Sequence, residues 1–211
     1  MTAERFERTT DPSVVGDLFR PSTVTGPPVV LAHGAGGNRS NALLQSLAVT
    51  FAESGSPALV IDLPYRQKRP KGPPSPSGAA RDRSGIREAV NALAVEYPGP
   101  IIAGGSSYGG RQASMLAADA PEGLAGLLLL SYPLHPPGKP EKLRTEHLAQ
   151  IRVPTMFAHG TRDPFGSPSE MESAVGLTSG RTRLLLLEGA RHGLPPEAAA
   201  EIAAAVLSFF K

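Results

Sequence analysis

Short apolar runs recur along almost the whole chain, and helical patterns fill the spaces between them. PPVVLAHG (27–34), SPALVIDLP (56–64), PIIAGGS (100–106), GLAGLLLLSYP (123–133), RVPTMFAHG (152–160) and RTRLLLLEG (181–189) are apolar at consecutive rather than alternate positions. Strands of this kind must be covered on both faces. Between them, NALLQSLAVTFAES (41–54) places Leu43, Leu44, Leu47, Ala48 and Phe51 on one helical face, with Ser40 or Asn41 as the cap. GAARDRSGIREAVNALAVEY (78–97) and SYGGRQASMLAADAP (107–121) are helical by the same periodicity, as are residues 168–178 and 195–210. This alternation predicts an α/β fold: a mostly parallel central sheet with helices on both faces. SVVGDLFRPS (13–22) has no helix between it and the next run, so it predicts an antiparallel hairpin at one sheet edge, ended by Pro21.

A chain of 211 residues without internal repeats reads as one domain over 1–211. Within it, residues 1–12 read as poorly ordered or as an edge strand, and 66–78, with KRPKGPPSPSG at 68–78, as a mobile, basic, Pro-rich loop. The absence of cysteine excludes disulfides, cysteine metal sites and a thiolate nucleophile. The start, MTAERFERTT, lacks the apolar run of a signal peptide, and no apolar stretch nears the ~20 residues needed to span a bilayer. The expectation is a soluble cytoplasmic protein without a membrane partner.

Net charge is only +2, yet Arg66, Lys68, Arg69, Lys71, Arg81, Arg83 and Arg87 face only Asp82 and Glu88 over 66–88. Such a run is either a solvated loop and helix start or a positive rim that favours anionic substrates. In the second case Arg66, Lys68, Arg69 and Lys71 are the substrate-binding candidates. No aromatic residues interleave with these charges to stack bases, which argues against a nucleic-acid partner.

GGSSYGG (104–110) lies between a predicted strand and a predicted helix, and only Ser107 fits G-x-S-x-G within it. With 23 glycines in the chain the pattern alone is weak, so the setting must carry the argument. A tight strand-to-helix turn strains the backbone of the nucleophile and leaves no room for side chains two residues away on either side, hence Gly105 and Gly109. Neither a P-loop nor a dinucleotide-binding pattern occurs at this turn, and no cofactor or metal is called for. A serine hydroxyl needs a base, and the base needs an orienting carboxylate. Asp163 and His192 follow Ser107 in that order, each in a loop just past a strand, so all three lie at one sheet edge. The oxyanion-hole donors expected are the N–H of Tyr108 and that of Ala35, with Gly36 beside it. His33 and His159 each head an AHG turn and are expected to brace it; His135 and His147 are assigned no chemistry.

HGAGG (33–37), GGSSYGGR (104–111), HGTRDPFG (159–166) and EGARHGL (188–194) resemble the ordered motifs of the α/β-hydrolase superfamily. LAHGAGGN, IDLPYRQKRPKGPP and GGSSYGGRQAS are similar to those of its small, lidless branch. That branch includes dienelactone-hydrolase-like proteins and the hydrolase-like domain in a subunit of the animal NSL acetyltransferase complex. The resemblance covers residues 13–210 and implies the α/β-hydrolase fold, with Ser107 as nucleophile, Asp163 as orienting acid and His192 as base. It implies a serine hydrolase acting on a small-molecule carboxylic ester or thioester through an acyl-enzyme. One departure is chemical: dienelactone hydrolases use a cysteine nucleophile, and this chain has none. Residues 133–152 are too few for a large lid, so little or no lid is expected. The competing reading is a non-catalytic binding or scaffold domain of the same fold, with KRPKGPP as its protein-contact surface.

Overall fold

In the computed structural model, which describes residues 2–211, five of the apolar runs become inner strands of one eight-stranded sheet and the last, RTRLLLLEG, becomes a partly exposed strand at its edge. Its strands are β1 (Glu4–Arg8), β2 (Val14–Phe19), β3 (Val29–Ala32), β4 (Ala58–Ile61), β5 (Ile101–Ser106), β6 (Leu124–Leu130), β7 (Thr155–Gly160) and β8 (Thr182–Leu187). Their order is β1-β2-β4-β3-β5-β6-β7-β8, with β1 and β2 antiparallel and all pairs from β4 to β8 parallel. The helices are α1 (Ala42–Glu53), α2 (Pro64–Lys68), α3 (Ala79–Glu96), α4 (Tyr108–Asp119), α5 (Pro168–Val175) and α6 (Ala199–Phe209).

The period of two along each strand divides the core into halves. Val29 and Leu31 of β3, with Leu128 and Leu130 of β6, face α1 and α6, where they meet Leu44, Leu47, Phe51, Ile202 and Val206. Val30, Leu127 and Leu129 face α3, α4 and α5, where they meet Ile86, Leu93, Ala113 and Met171. All of these are buried, which is why strand sequences here lack the alternation of a half-exposed sheet.

Residues 66–78 are not one loop. Pro64 opens α2 at its first turn, where its missing N–H has no partner to lose, and Arg66 lies buried within this helix. A 3₁₀ turn, Pro76–Gly78, then leads into α3. Between β6 and β7, residues 131–154 form only the 3₁₀ turn Leu148–Gln150, so no helical lid is inserted there. No described helix is long and apolar enough to cross a membrane.

Candidate active site

The turn from β5 into α4 holds Ser107 at φ 50°, ψ −111°, a conformation that costs a non-glycine residue about 1–3 kcal/mol and persists only where its surroundings enforce it. Here the enforcement is steric. A Cβ at Gly105 would run into the carbonyl of Ala32, and one at Gly109 would lie 2.5 Å from that oxygen and 2.6 Å from the carbonyl of His33. With both positions bare, β5 and α4 close against β3 and the Ser107 side chain is pushed to the carboxyl edge of the sheet.

Three loops at that edge meet. His192 Nε2 lies 2.8 Å from Ser107 Oγ, and His192 Nδ1 lies 2.8 and 3.0 Å from the two carboxylate oxygens of Asp163. The Asp163 side chain is wholly buried and also accepts the Phe165 N–H at 2.9 Å. The Phe165 ring stacks on the His192 ring at a centroid distance of 4.0 Å, which fixes the imidazole plane. The carboxylate accepts from Nδ1–H, so Nε2 carries the lone pair that can take the serine proton.

The loop after β3 supplies free N–H groups. No described backbone or side-chain acceptor takes the N–H of Ala35 or of Gly36. Their flanking carbonyls are held instead: Tyr65 Oη donates to Gly34 O (3.2 Å) and Ala35 O (2.8 Å), and Arg66 Nη2 donates to Ala35 O (3.3 Å). A trans peptide points its N–H opposite to its C=O, so both N–H groups face away from Tyr65 and Arg66. The Tyr108 N–H, in the first turn of α4, belongs to the helical donors without an intrahelical acceptor. Tyr108 is itself anchored: its hydroxyl donates to Asp82 (2.7 Å), a fully buried carboxylate that also accepts the Tyr65 N–H (3.0 Å). Burial and this carboxylate push the Tyr108 phenol well above its ordinary range, so it stays a donor.

Ser107, His192, Tyr108, Ala35 and Gly36 line one cavity of about 740 Å³. Arg66, Lys68, Arg69 and Lys71 do not line it. Lys68, Arg69 and Lys71 are exposed, whereas Arg66 is turned inward and donates to the carbonyls of Gly37 (2.7 Å), Arg69 (3.1 Å) and Gly72 (3.0 Å) as well as Ala35. The positive rim inferred from sequence is thus corrected: one of its four cations braces the loop, and the others face water. The cavity's cations are Arg111 and Arg144, which the sequence reading did not single out.

His33, His147 and His159 are neutral fittings. His33 Nδ1 donates to Gly34 O (2.8 Å) while Nε2 accepts the Leu63 N–H (3.2 Å), and burial holds its basicity low. His159 Nε2 donates to Gly166 O (2.9 Å), with burial acting in the same direction. His147 sits against Ser114 Oγ (2.8 Å), and burial, helped by Arg111, lowers its pKa to about 4. An unfolded histidine titrates near ~6.5, so between these values the unfolded chain binds the extra proton. The stability contributed by neutral His147 is therefore complete above about pH 6.5 and is lost as pH falls toward 4. Thermal melts should show Tm falling more between pH 7 and pH 4.5 in the wild type than in His147→Gln, which keeps a donor for Ser114; equal slopes would refute this.

The model of the alpha/beta hydrolase domain family matches residues 26–206. The chain belongs to this family. Among curated alpha/beta hydrolase relatives, ABHD14B of Pongo abelii, whose name makes it a candidate protein-lysine deacylase, is 28% identical over 167 residues, covering 78% of this chain and 73% of that protein. Dienelactone hydrolase from Anabaena variabilis has a structure similar to this one at a TM-score of 0.76 and 21% identity, over 100% of this chain and 98% of that one. XC6422 from Xanthomonas campestris, described as an α/β serine hydrolase without a lid, aligns at 0.72 and 14%, over 98% and 96%. At these identities the two structural likenesses establish the fold, and none of the three matches bears on the resemblance to the NSL-complex subunit. Among the described residues, no group of three or more His, Cys, Asp or Glu is placed to hold a metal ion.

Proposed function

We propose that this alpha/beta hydrolase is a serine hydrolase that cleaves a carboxylic ester or thioester through an acyl-enzyme. The observation that carries the reading is the hydrogen-bonded series Ser107–His192–Asp163, with both imidazole nitrogens engaged. Ser107 Oγ attacks the carbonyl carbon as His192 Nε2 takes its proton, and Asp163 stabilises the imidazolium. The Tyr108 N–H and the Ala35 or Gly36 N–H receive the oxyanion. Collapse of the tetrahedral intermediate expels the alcohol or thiol, which leaves with the proton from His192. Water, deprotonated by the same nitrogen, then releases the acid and restores Ser107. The name of the Pongo abelii relative points to removal of acyl groups from lysine, which belongs to the same acyl-transfer class and adds an acylated lysine to the substrates to be tried.

The test is labelling with a fluorophosphonate, which reacts only with an activated serine. Ser107→Ala should abolish labelling and Ser106→Ala should leave it, because Ser106 is the last residue of β5 while Ser107 alone meets His192. Labelling that survives Ser107→Ala would remove the nucleophile from this position.

The brace behind the oxyanion loop gives a second expectation. Arg66→Ala strips the hydrogen bond from Gly37 O and one of two from Ala35 O, which loosens the donors and should lower kcat/KM about 10- to 100-fold, equally for neutral and anionic esters. The same change should destabilise the fold by about 2 kcal/mol. Neutralising Lys68, Arg69 and Lys71 together should alter kcat/KM by less than about twofold, since these exposed charges are screened within about 8 Å. A charge-selective loss in the triple variant would restore the positive rim to the site.

A further inference from the structure

Beside Ser107 the cavity holds two cations, Arg111 and Arg144, that form no ion pair among the described residues. Arg111 lies four residues past Ser107 on α4, an axial rise of about 6 Å, and Arg144 enters from the connection after β6. Arg144 is tied down on one side only, its Nη1 donating to Pro133 O (3.0 Å) and its backbone N–H to Leu134 O (2.8 Å). Neither guanidinium has a carboxylate within 4.0 Å among the described residues. Of the nearby acids, Asp82 is engaged with Tyr65 and Tyr108 and Asp163 with His192, while the exposed Glu146 acts on Arg144 only from a distance, without pairing with it. Arg111 Nε is buried without a partner. Gln112, fully buried and lining the same cavity, accepts from Arg83 Nη1 (3.2 Å) through Oε1, but its Nε2 donates to nothing. Burial and then the neighbouring Arg111 charge weaken the hold of Arg144 on its proton, and Tyr132 and Glu146 offset this only in part, so the two guanidiniums repel each other as the site stands. Native interiors leave few polar groups unmet, and an anion lying between two like-charged groups would turn their mutual repulsion into attraction.

We propose that Arg111, Arg144 and Gln112 form a subsite for a carboxylate carried by the substrate, close to its scissile carbonyl. The inference rests on Ser107 being the nucleophile and narrows the substrate to an acidic ester or thioester. Guanidinium forks match the two oxygens of a carboxylate, and the free amide of Gln112 supplies a further donor. The cation that selects charge then comes from α4 and the β6–β7 connection, not from residues 66–71.

Two matched pairs of esters test it, one with the carboxylate on the acyl side (mono-p-nitrophenyl glutarate against p-nitrophenyl valerate) and one on the alcohol side (4-carboxymethylphenyl butyrate against 4-ethylphenyl butyrate). In at least one pair the acid should be preferred by about tenfold or more in kcat/KM, mainly through KM. That ratio should fall to near one in Arg144→Gln and in Arg111→Gln and should recover in part in Arg144→Lys; if Arg111→Gln fails to fold, the Arg144 pair carries the test. A second measurement needs no turnover: glutarate should bind the Ser107→Ala protein by calorimetry, and Arg144→Gln in that background should weaken it about tenfold. No preference in either pair, a preference that survives both arginine substitutions, or binding of inorganic phosphate with none of glutarate would overturn the subsite. Neutral esters cleaved without any preference would sink the subsite and spare the hydrolase. Glutarate bound by a protein that cleaves no ester would do the reverse.

Discussion

Ser107→Ala should lower kcat on an activated ester by about 10⁶-fold, His192→Ala by about as much, and the double substitution by scarcely more. Non-additivity of this kind follows from the geometry. In the proposed reaction Ser107 and His192 act through a single proton transfer between two atoms that lie 2.8 Å apart, and removing either atom removes the transfer. What remains is whatever the N–H groups of Tyr108, Ala35 and Gly36 contribute to a water-driven reaction. Loss of fold would not explain such a result, because alanine at 107 keeps the same strained backbone and forfeits one hydrogen bond at the cavity surface. Steady-state kinetics with the Tm of each variant would decide the matter. Losses of the two single variants that multiply in the double variant would mean that they serve separate steps, Ser107→Ala with near-full activity would move the nucleophile elsewhere, and a wild type that neither cleaves esters nor takes the probe would leave the binding-domain reading as the better one.

How much of this was legible beforehand depends on whether a residue's partner leaves a trace in sequence. The parallel sheet was legible because Leu127–Leu130 and Val29–Ala32 must be buried on both faces, and burial is written as hydrophobicity. That Ser107, Asp163 and His192 would come together was legible because each stands in a loop just past a strand, and the glycines at 105 and 109 mark a turn where β3 comes too close for a side chain. The outermost strand, ERFER, left almost no signal, since it buries only Phe6 and its charges look like a solvated tail. Arg66 is the instructive error. It stands in a run of cations, and charge patterning treats all of a run alike. What separates Arg66 from Lys68 is a set of backbone carbonyls at Ala35, Gly37 and Gly72, and carbonyls have no residue type. Asp82 was hidden for a related reason: its partners are one backbone N–H and one phenol, brought together only when α2 and α4 dock beside α3. Arg111 and Arg144 are 33 positions apart, and no local pattern tells that they share a cavity.

Asp163→Asn should cost about 10⁴ in kcat while leaving the protein folded. The carboxylate accepts the Nδ1–H of His192 with both oxygens, at 2.8 and 3.0 Å, so the lone pair is kept on Nε2, toward Ser107. An amide that turns its NH₂ toward Nδ1 inverts this. The imidazole proton then moves to Nε2, which can donate to Ser107 Oγ but no longer accept from it, and the imidazolium of the transition state loses its counter-charge. The fold has no such dependence, because the amide oxygen can still accept the Phe165 N–H that closes the turn. Asp163→Ala should be worse on both counts, since it also frees that N–H and leaves the buried space unfilled. The order Ala below Asn in Tm, with both far below wild type in activity, separates the electrostatic role from the structural one. Activity near wild type in a folded Asp163→Asn protein would require another acid. The strand before β7 leads into SYPLHPPGKPE, whose first acid is Glu141, exposed and far along the connection, whereas Asp163 is buried against the base. A tautomer held by a wholly buried carboxylate has no substitute within reach, which is why this single oxygen-to-nitrogen exchange is expected to remove nearly all the chemistry and almost none of the structure.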